Sequence, residues 1–420
     1  MTRLNTPVRV IFLGFFAVIL LSTAAWGTPT ESVLYNFCQQ GGLACHDGQG
    51  PNGALVFDAA GNLYGTTLYG GAHGGGIVFE LSPAQGAWTE TVLYSFCAQA
   101  KCADGNTPSG ALIFDSLGNL YGTTTAGGAD GAGTVYELSP AQGGWTETVL
   151  YSFCAFPCNA NPQAGVTMDE AGNLFGTTYY DGVFELSPSG GEGWTENVLY
   201  EVGDADPAGV ALDAAGNVYG VGQWNNGNYP AGYVFELSPS GGSWKLNVPF
   251  VFGKNQAGKY ADGYDPNSTP VFDKAGNLYG TTQNNGVSST GGTAFKLTAG
   301  RKGWKFKLLH TFNGKKGDGS QPLGPLTIDS SGNVYGTTYA GGVSQVCSDN
   351  GGYAGCGTVF KLTPSGTGYT ETVLWRFSIT DGESPMSGVI LDKQGNLYGT
   401  TYQGGSGAGQ PSGAVFRVTP

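Results

Sequence analysis

One short phrase, Gly-Asn-Leu-Tyr-Gly with small variations, occurs seven times, at 61–65, 118–122, 172–176, 216–220, 276–280, 332–336 and 395–399. The intervals are 57, 54, 44, 60, 56 and 63 residues. Recurrence at more than about 40 residues, in segments of β type, is the signature of propeller blades or β-arrays. Such a unit cannot bury its apolar face alone and must stack on its neighbours. The phrase therefore constrains architecture strongly and function weakly, because a motif present in every unit usually builds the unit.

The second unit shows the pattern. Apolar 111–115 (ALIFD) reads as a short strand, 116–119 as a turn and 120–124 (LYGTT) as a second strand. A Gly-rich loop, 126–133, leads to 134–138 (TVYEL), and a second turn leads to 145–153 (WTETVLYSF). Aromatic, Thr and Val content favours strands in all four pieces. The expectation is an all-β seven-bladed propeller with four-stranded blades; the short ALIFD-type strand suits the crowded innermost place better than the WTETVLYSF-type strand, which is the alternative register. The seventh unit ends after its third strand, 414–418, while 31–37 (ESVLYNF) near the start matches the fourth strand 90–96 (ETVLYSF). The N-terminal strand is thus expected to complete the last blade, which removes a free sheet edge.

In the repeated Asp-x-x-Gly-Asn turn, the Asp accepts backbone N–H bonds and the Gly supplies positive φ. Asp58, Asp115, Asp169, Asp213, Asp273, Asp329 and Asp392 occupy this place. Seven copies at a tight turn favour a structural role over a catalytic or calcium-binding one. The Gly inside the second strand, such as Gly122, weakens a strand unless something approaches closely; a neighbouring blade is the expected reason. The aromatic before it, such as Tyr121, is expected to pack over that neighbour.

The first 27 residues read as a secretory leader: Arg3 and Arg9, an apolar run 10–21 too short for a membrane span, then small residues, with cleavage after Ala25 or Gly27. The domain is then 28–420. Without Arg3 and Arg9 the balance is 16 basic against 31 acidic residues. That acidity argues against nucleic acid and anionic lipid as partners. The eight cysteines form four close pairs, Cys38/Cys45, Cys97/Cys102, Cys154/Cys158 and Cys347/Cys356. An even count behind an export signal points to local disulfides. With no His or further Cys beside any pair, metal binding is the weaker reading.

The stretches 58–67, 70–71, 76–83 and 90–96 together resemble the Gloeo_Verruco (GloVer) tandem repeat of exported bacterial proteins. The resemblance spans essentially the whole mature chain. It implies an extracytoplasmic location, often with a C-terminal sorting anchor, and implies no particular reaction. The chain ends at Pro420 without an apolar tail, so a secreted, periplasmic or surface location is expected rather than an anchored one.

A second recurrence, Asp-Gly-x-x-Pro, starts at Asp47, Asp104, Asp262, Asp318 and Asp381. In the expected register these carboxylates encircle the channel mouth on the face that carries the long connections. Hard oxygens there suit Ca²⁺, which takes 6–8 oxygen ligands; an Asp-Gly turn launching a strand is the plainer reading. The three histidines, His46, His73 and His310, belong to no recognisable catalytic constellation. His46, beside Asp47, is the most suggestive of them. Tyr69, Tyr180, Trp224, Tyr339 and Tyr402 fall in or beside the long two-to-three loops and are candidate contacts for a ligand. The reading is an exported, monomeric, non-catalytic propeller that binds a protein or carbohydrate through its loop-rich face. The alternative is an extracellular hydrolase or lyase using the Asp carboxylates, with or without a metal.

Overall fold

The computed structural model describes residues 28–154, 160–179, 182–191, 193–201, 208–223, 231–253, 260–285, 291–342, 347, 354–406 and 412–420. The leader 1–27, Tyr180, Trp224 and Cys158 lie outside them.

Seven antiparallel sheets form the seven blades. Blade 2 is typical, with strands Asn106–Phe114, Leu120–Ala126, Thr134–Ala141 and Gly144–Ser152 in spatial order. The innermost strand differs from the expected 111–115. It starts earlier and carries a register irregularity between Ser109 and Ile113. Gly110 sits there at φ +76°, and a Cβ on it would lie 2.0 Å from the Gly165 nitrogen of the next blade. Inner strands crowd each other near the axis, so they bend and stay short. Gly53, Ala111, Gly165, Gly209, Thr269, Gly324 and Ser387, one from each blade, surround an axial cavity of about 330 Å³. The ALIFD-type strand is therefore innermost.

The last blade joins Ile390–Leu391, Leu397–Thr401 and Ala414–Thr419 to the N-terminal strand Thr30–Asn36. Thr30 faces Thr419 and Asn36 faces Ala414 in that pairing. Seven apolar clusters lie between blades. One of them, holding Phe37, Leu55, Phe79 and Tyr398, closes the ring. The strand-two aromatic reaches across as expected: the Tyr64 ring meets Phe114 of the next blade edge-on at 5.0 Å.

The glycine after that aromatic has a different cause from the expected one. A Cβ on Gly176 would lie 2.4 Å from Phe184 Cζ, and one on Gly220 2.2 Å from Phe235 Cζ. Phe184 pairs with Gly176, and Phe235 with Gly220, across strands of one blade. The partner strand's own ring, rather than the neighbouring blade, occupies the space of a side chain.

The Thr that follows stitches blades together. Thr66 Oγ1 donates to the Gly110 carbonyl (3.4 Å), Thr123 to Ala164 (2.9 Å), Thr177 to Ala208 (3.1 Å) and Thr281 to Pro322 (3.2 Å). Thr337 donates to Ser387, and Thr400 closes the circle on Gly53 (3.4 Å). Blade 4 carries Val221 at this place.

The turn aspartates are structural ties. Asp115 Oδ1 accepts the N–H groups of Leu117 (2.8 Å) and Asn119 (2.9 Å), while Oδ2 takes Asn119 Nδ2 (2.8 Å) and Tyr121 Oη (3.2 Å). Gly118, at φ +90° with open space around it, completes the turn.

Gly118→Ala and Gly176→Ala are each expected to cost about 1–3 kcal/mol in urea unfolding, for different reasons. Gly118→Asn should recover most of the loss, because Asn tolerates left-handed backbone. Gly176→Ala should be rescued instead by Phe184→Leu. An unchanged midpoint in Gly118→Ala would refute the turn assignment.

Candidate functional site at the channel mouth

The Asp-Gly-x-x-Pro segments run from each outer strand back to the next blade's inner strand. Their aspartates lie away from the axis, against the outer strands. Asp47, Asp104 and Asp262 are buried. Asp47 accepts Tyr35 Oη (2.8 Å) and the N–H groups of Gln39 (2.8 Å) and Gln40 (3.1 Å). Asp104 repeats this with Tyr94 (2.9 Å), Ala98 (2.9 Å) and Gln99 (3.1 Å). Asp262 accepts Gly253 N–H (3.1 Å) and Asp318 accepts Asn313 N–H (2.9 Å). Asp381 accepts Trp375 Nε1–H (3.1 Å) and the N–H and hydroxyl of Ser378. The expected ring of carboxylates open at the channel mouth is not what the fold forms. The loop curls back on its own strand end, so the donors that carboxylates require come from within the loop.

This curl latches one blade to the next. Among the described residues, the residue before the Pro that launches each inner strand is left-handed even where it is not Gly: Thr107 (φ +58°), Asn161 (φ +58°), Asp265 (φ +55°), Gln321 (φ +56°) and Ser384 (φ +56°). Its N–H then reaches a carbonyl of the preceding blade, as Thr107 does to Gly75 (2.9 Å) and Asn161 to Ala132 (2.7 Å). The Pro wedges against a Gly there: a Cβ on Gly76 would lie 2.5 Å from Pro108 Cδ. Non-Gly residues held at positive φ cost about 1–3 kcal/mol each and cluster at functional sites.

Two patches meet at the mouth. Over blades 1–3 lies a hollow of about 600 Å³ whose lining includes Asn52, Thr107, Ser109, Thr125, Gln163 and Tyr179. Asn52 Nδ2 donates to Ser109 Oγ (3.4 Å), which donates to the Gln163 carbonyl (2.8 Å). Over blades 6, 7 and 1, Tyr339, Tyr402 and Tyr69 converge. A Cβ on Gly50 would sit 3.0 Å from the Tyr402 ring and 3.6 Å from the Tyr69 ring. Burial, then Tyr69 and then Tyr339, raises the Tyr402 phenol pKa. Tyr69 is 45% exposed. Among the described residues, neither the hollow nor the axial cavity is lined by a carboxylate or a histidine.

Of the residues singled out in the sequence, Tyr69, Tyr339 and Tyr402 are brought together here, while Asn52, Asn161 and Gln163, which line the hollow, were not among them. The signal was present: all three lie beside a Pro or Gly at a unit boundary, where the units differ most. His46 and His73 are exposed, and the Asp47 carboxylate turns to Tyr35 rather than to His46. Disulfides Cys38–Cys45, Cys97–Cys102 and Cys347–Cys356 staple the long connections. Cys154 is disulfide-bonded too.

A line of acids crosses the blade interfaces. Glu31, Glu90 and Glu147 have carboxyls pushed up from 4.5 to about 7, first by burial and then by Asp381, Asp47 and Asp104 respectively. The folded chain therefore holds these protons more tightly than the unfolded chain. Their contribution is full below about pH 4.5 and disappears as pH rises through about 7. The turn aspartates run the other way. Burial raises Asp115 and Asp392, but the stronger combined hydrogen bonds hold them below 3.8, so their stabilisation is lost on acidification below that value. The melting temperature is expected to rise from about pH 8 to about pH 5 and to fall below about pH 4. Replacing Glu90 and Glu147 together by Gln should flatten the upper slope; an unaltered slope would show that these acids do not set it.

The whole propeller is similar to known structures at low identity. PorZ of Porphyromonas gingivalis, an essential bacterial surface component of the type-IX secretion system, matches with TM-score 0.50 and 11% identity, over 86% of this chain and 46% of that one. This chain thus spans about half the length of PorZ. A polysaccharide lyase, a PL25 ulvan lyase, matches with TM-score 0.47 and 10% identity, over 88% of this chain and 92% of that one. No curated protein matches the sequence. Residues 21–208 match the model of the Gloeobacter/Verrucomicrobia repeat, the repeat that the sequence motifs resemble.

Proposed function

We propose that this chain is an exported, non-catalytic binding module that takes a neutral glycan across the channel mouth. One observation carries the reading. The mouth presents amides, hydroxyls and phenol rings on a closely braced backbone, while the recurrent carboxylates are withdrawn and hydrogen-bonded. Carbohydrate recognition needs this combination: flat aromatic faces for sugar rings and fixed donors and acceptors for hydroxyls. Tyr69 and Tyr402 supply the faces, and Asn52, Gln163, Thr125 and Ser109 the polar groups. Export is supported by the leader-like residues 1–27 and by disulfides, which persist in oxidising compartments. No helix among the described residues is long and apolar enough to cross a membrane.

The test is a glycan array probed with the mature chain, followed by calorimetry on any hit. Tyr69→Ala and Tyr402→Ala are expected to weaken binding at least tenfold, since a stacked ring contributes about 1–3 kcal/mol, and to leave the melting temperature in place. Full affinity in both variants would refute the mouth as the site. Turnover of a bound glycan, abolished by Asp262→Asn or Asp318→Asn, would replace this reading with the hydrolase or lyase. Capture of peptides instead of glycans would reassign the ligand class.

A further inference from the structure

Two blade interfaces hold the same Tyr–Asp–Glu arrangement, and the phenol's position is filled by Phe250, His310 and Trp375 in three other blades. At the first, Tyr35 of an outer strand, Asp47 of the following loop and Glu90 of the next outer strand lie together; Tyr94, Asp104 and Glu147 repeat this at the second. The phenol is a donor, and the Asp is satisfied by it. Between blades 5 and 6 the phenol's place is taken by His310, with Asp318 and Glu371 opposite.

His310 Nε2 lies 3.5 Å from Asp318 Oδ1 and 3.7 Å from Glu371 Oε2. Both separations exceed a hydrogen bond. One ligand atom from each of the three residues lies within 4.8 Å of the others. His310 Nε2, Asp318 Oδ1 and Glu371 Oε1 are all shielded from solvent without a hydrogen-bond partner. Buried polar atoms left unpaired are costly; His310 Nε2 and Asp318 Oδ1 face each other at 3.5 Å with Glu371 Oε2 beside them, which points to a missing central group. The two edges from His310, 3.5 and 3.7 Å, lie close to those of a small ion's shell: bonds of about 2.0–2.1 Å to nitrogen and oxygen in a tetrahedron put ligand atoms about 3.3 Å apart.

We propose that His310, Asp318 and Glu371 form a site for a divalent first-row transition ion, with Zn²⁺ as the fitting case and water as the fourth ligand. The donor set selects the metal class. Imidazole with two carboxylates suits zinc-type ions, whereas Ca²⁺ calls for 6–8 oxygens. The ligands are braced from behind. Asp318 Oδ2 accepts Asn313 N–H at 2.9 Å, which aims Oδ1 at the histidine, and the imidazole packs edge-on against Phe312 at 4.7 Å. Glu371 is fixed in the strand Gly368–Arg376 opposite Leu362. The neighbouring cation Arg376 is engaged by the Gly317 carbonyl at 3.0 Å. Two carboxylates and a divalent ion make a neutral site, and the ion clips the outer strands of blades 5 and 6 together. A protonated imidazole between the same carboxylates is the competing account.

The test uses the full mature chain with its disulfides intact, stripped with chelator and titrated with Zn²⁺ by calorimetry and against a chromophoric chelator. One equivalent is expected to bind, to raise the melting temperature and to be reversed by chelator. His310→Tyr restores the residue that other blades carry at this place, so it should fold. It is expected to weaken uptake at least a hundredfold, as is Glu371→Gln. Undiminished uptake in His310→Tyr would assign the ion to the exposed His46 or His73 and overturn the site. Absence of saturable uptake at micromolar Zn²⁺ would overturn it in favour of the protonated imidazole.

Discussion

Seven blades that each hide their apolar face under the next have no stable end, so the pairing of Thr30–Asn36 with Ala414–Thr419 governs the rest of the molecule. Without it the Tyr398 ring, Phe37 and Phe79 would lose their common cover, and two unpaired sheet edges would face solvent. The two strands lie at opposite ends of the sequence, so this contact has the greatest loop-closure cost in the chain. The ring repays that cost collectively. Each blade adds an apolar cluster, and most add a threonine stitch and a proline wedge of the same form, complete only when the neighbour is in place.

The polar groups at the interfaces follow from this dependence. A loop crossing from one blade to the next exposes backbone N–H groups near a buried surface, and a carboxylate satisfies two at once. That is the role of Asp47 and Asp104, with a phenol as third donor. Repeated residues build; residues that break the repeat are free to specialise. The mouth takes its character from positions where units differ, such as Asn52, Asn161 and Tyr402. His310 stands out for the same reason, because it keeps the size of an aromatic while exchanging a phenol for a nitrogen ligand.

The strand order, the turn aspartates and the terminal closure were legible in the sequence, whereas which strand lies innermost was a preference between two registers that the structure decided. Each depends on local chemistry repeated seven times: an Asp that caps a turn, a Gly at positive φ, alternating apolar residues. The aspartates of Asp-Gly-x-x-Pro were misplaced, because composition shows that they sit in one loop class but not which way that loop folds. The direction depends on a left-handed residue before Pro, exemplified by Thr107, a conformation that its residue type does not advertise. The strand-two glycine was recognised as a close approach, yet its partner was named wrongly. Only register shows that Phe184, in the same sheet, lies over Gly176.

The amino-acid order by itself determined the number of blades, their four strands and the means of closing them, since those properties arise from short-range patterns that a repeat makes visible. The tertiary structure alone decided which polar side chains face the axis and which turn outward, and it alone brought His310, Asp318 and Glu371 together from three separate segments. The physical reason is distance. Turn geometry and strand periodicity act over a few residues, whereas the meeting of a strand, a loop and the next blade's outer strand depends on how whole sheets pack about a common axis.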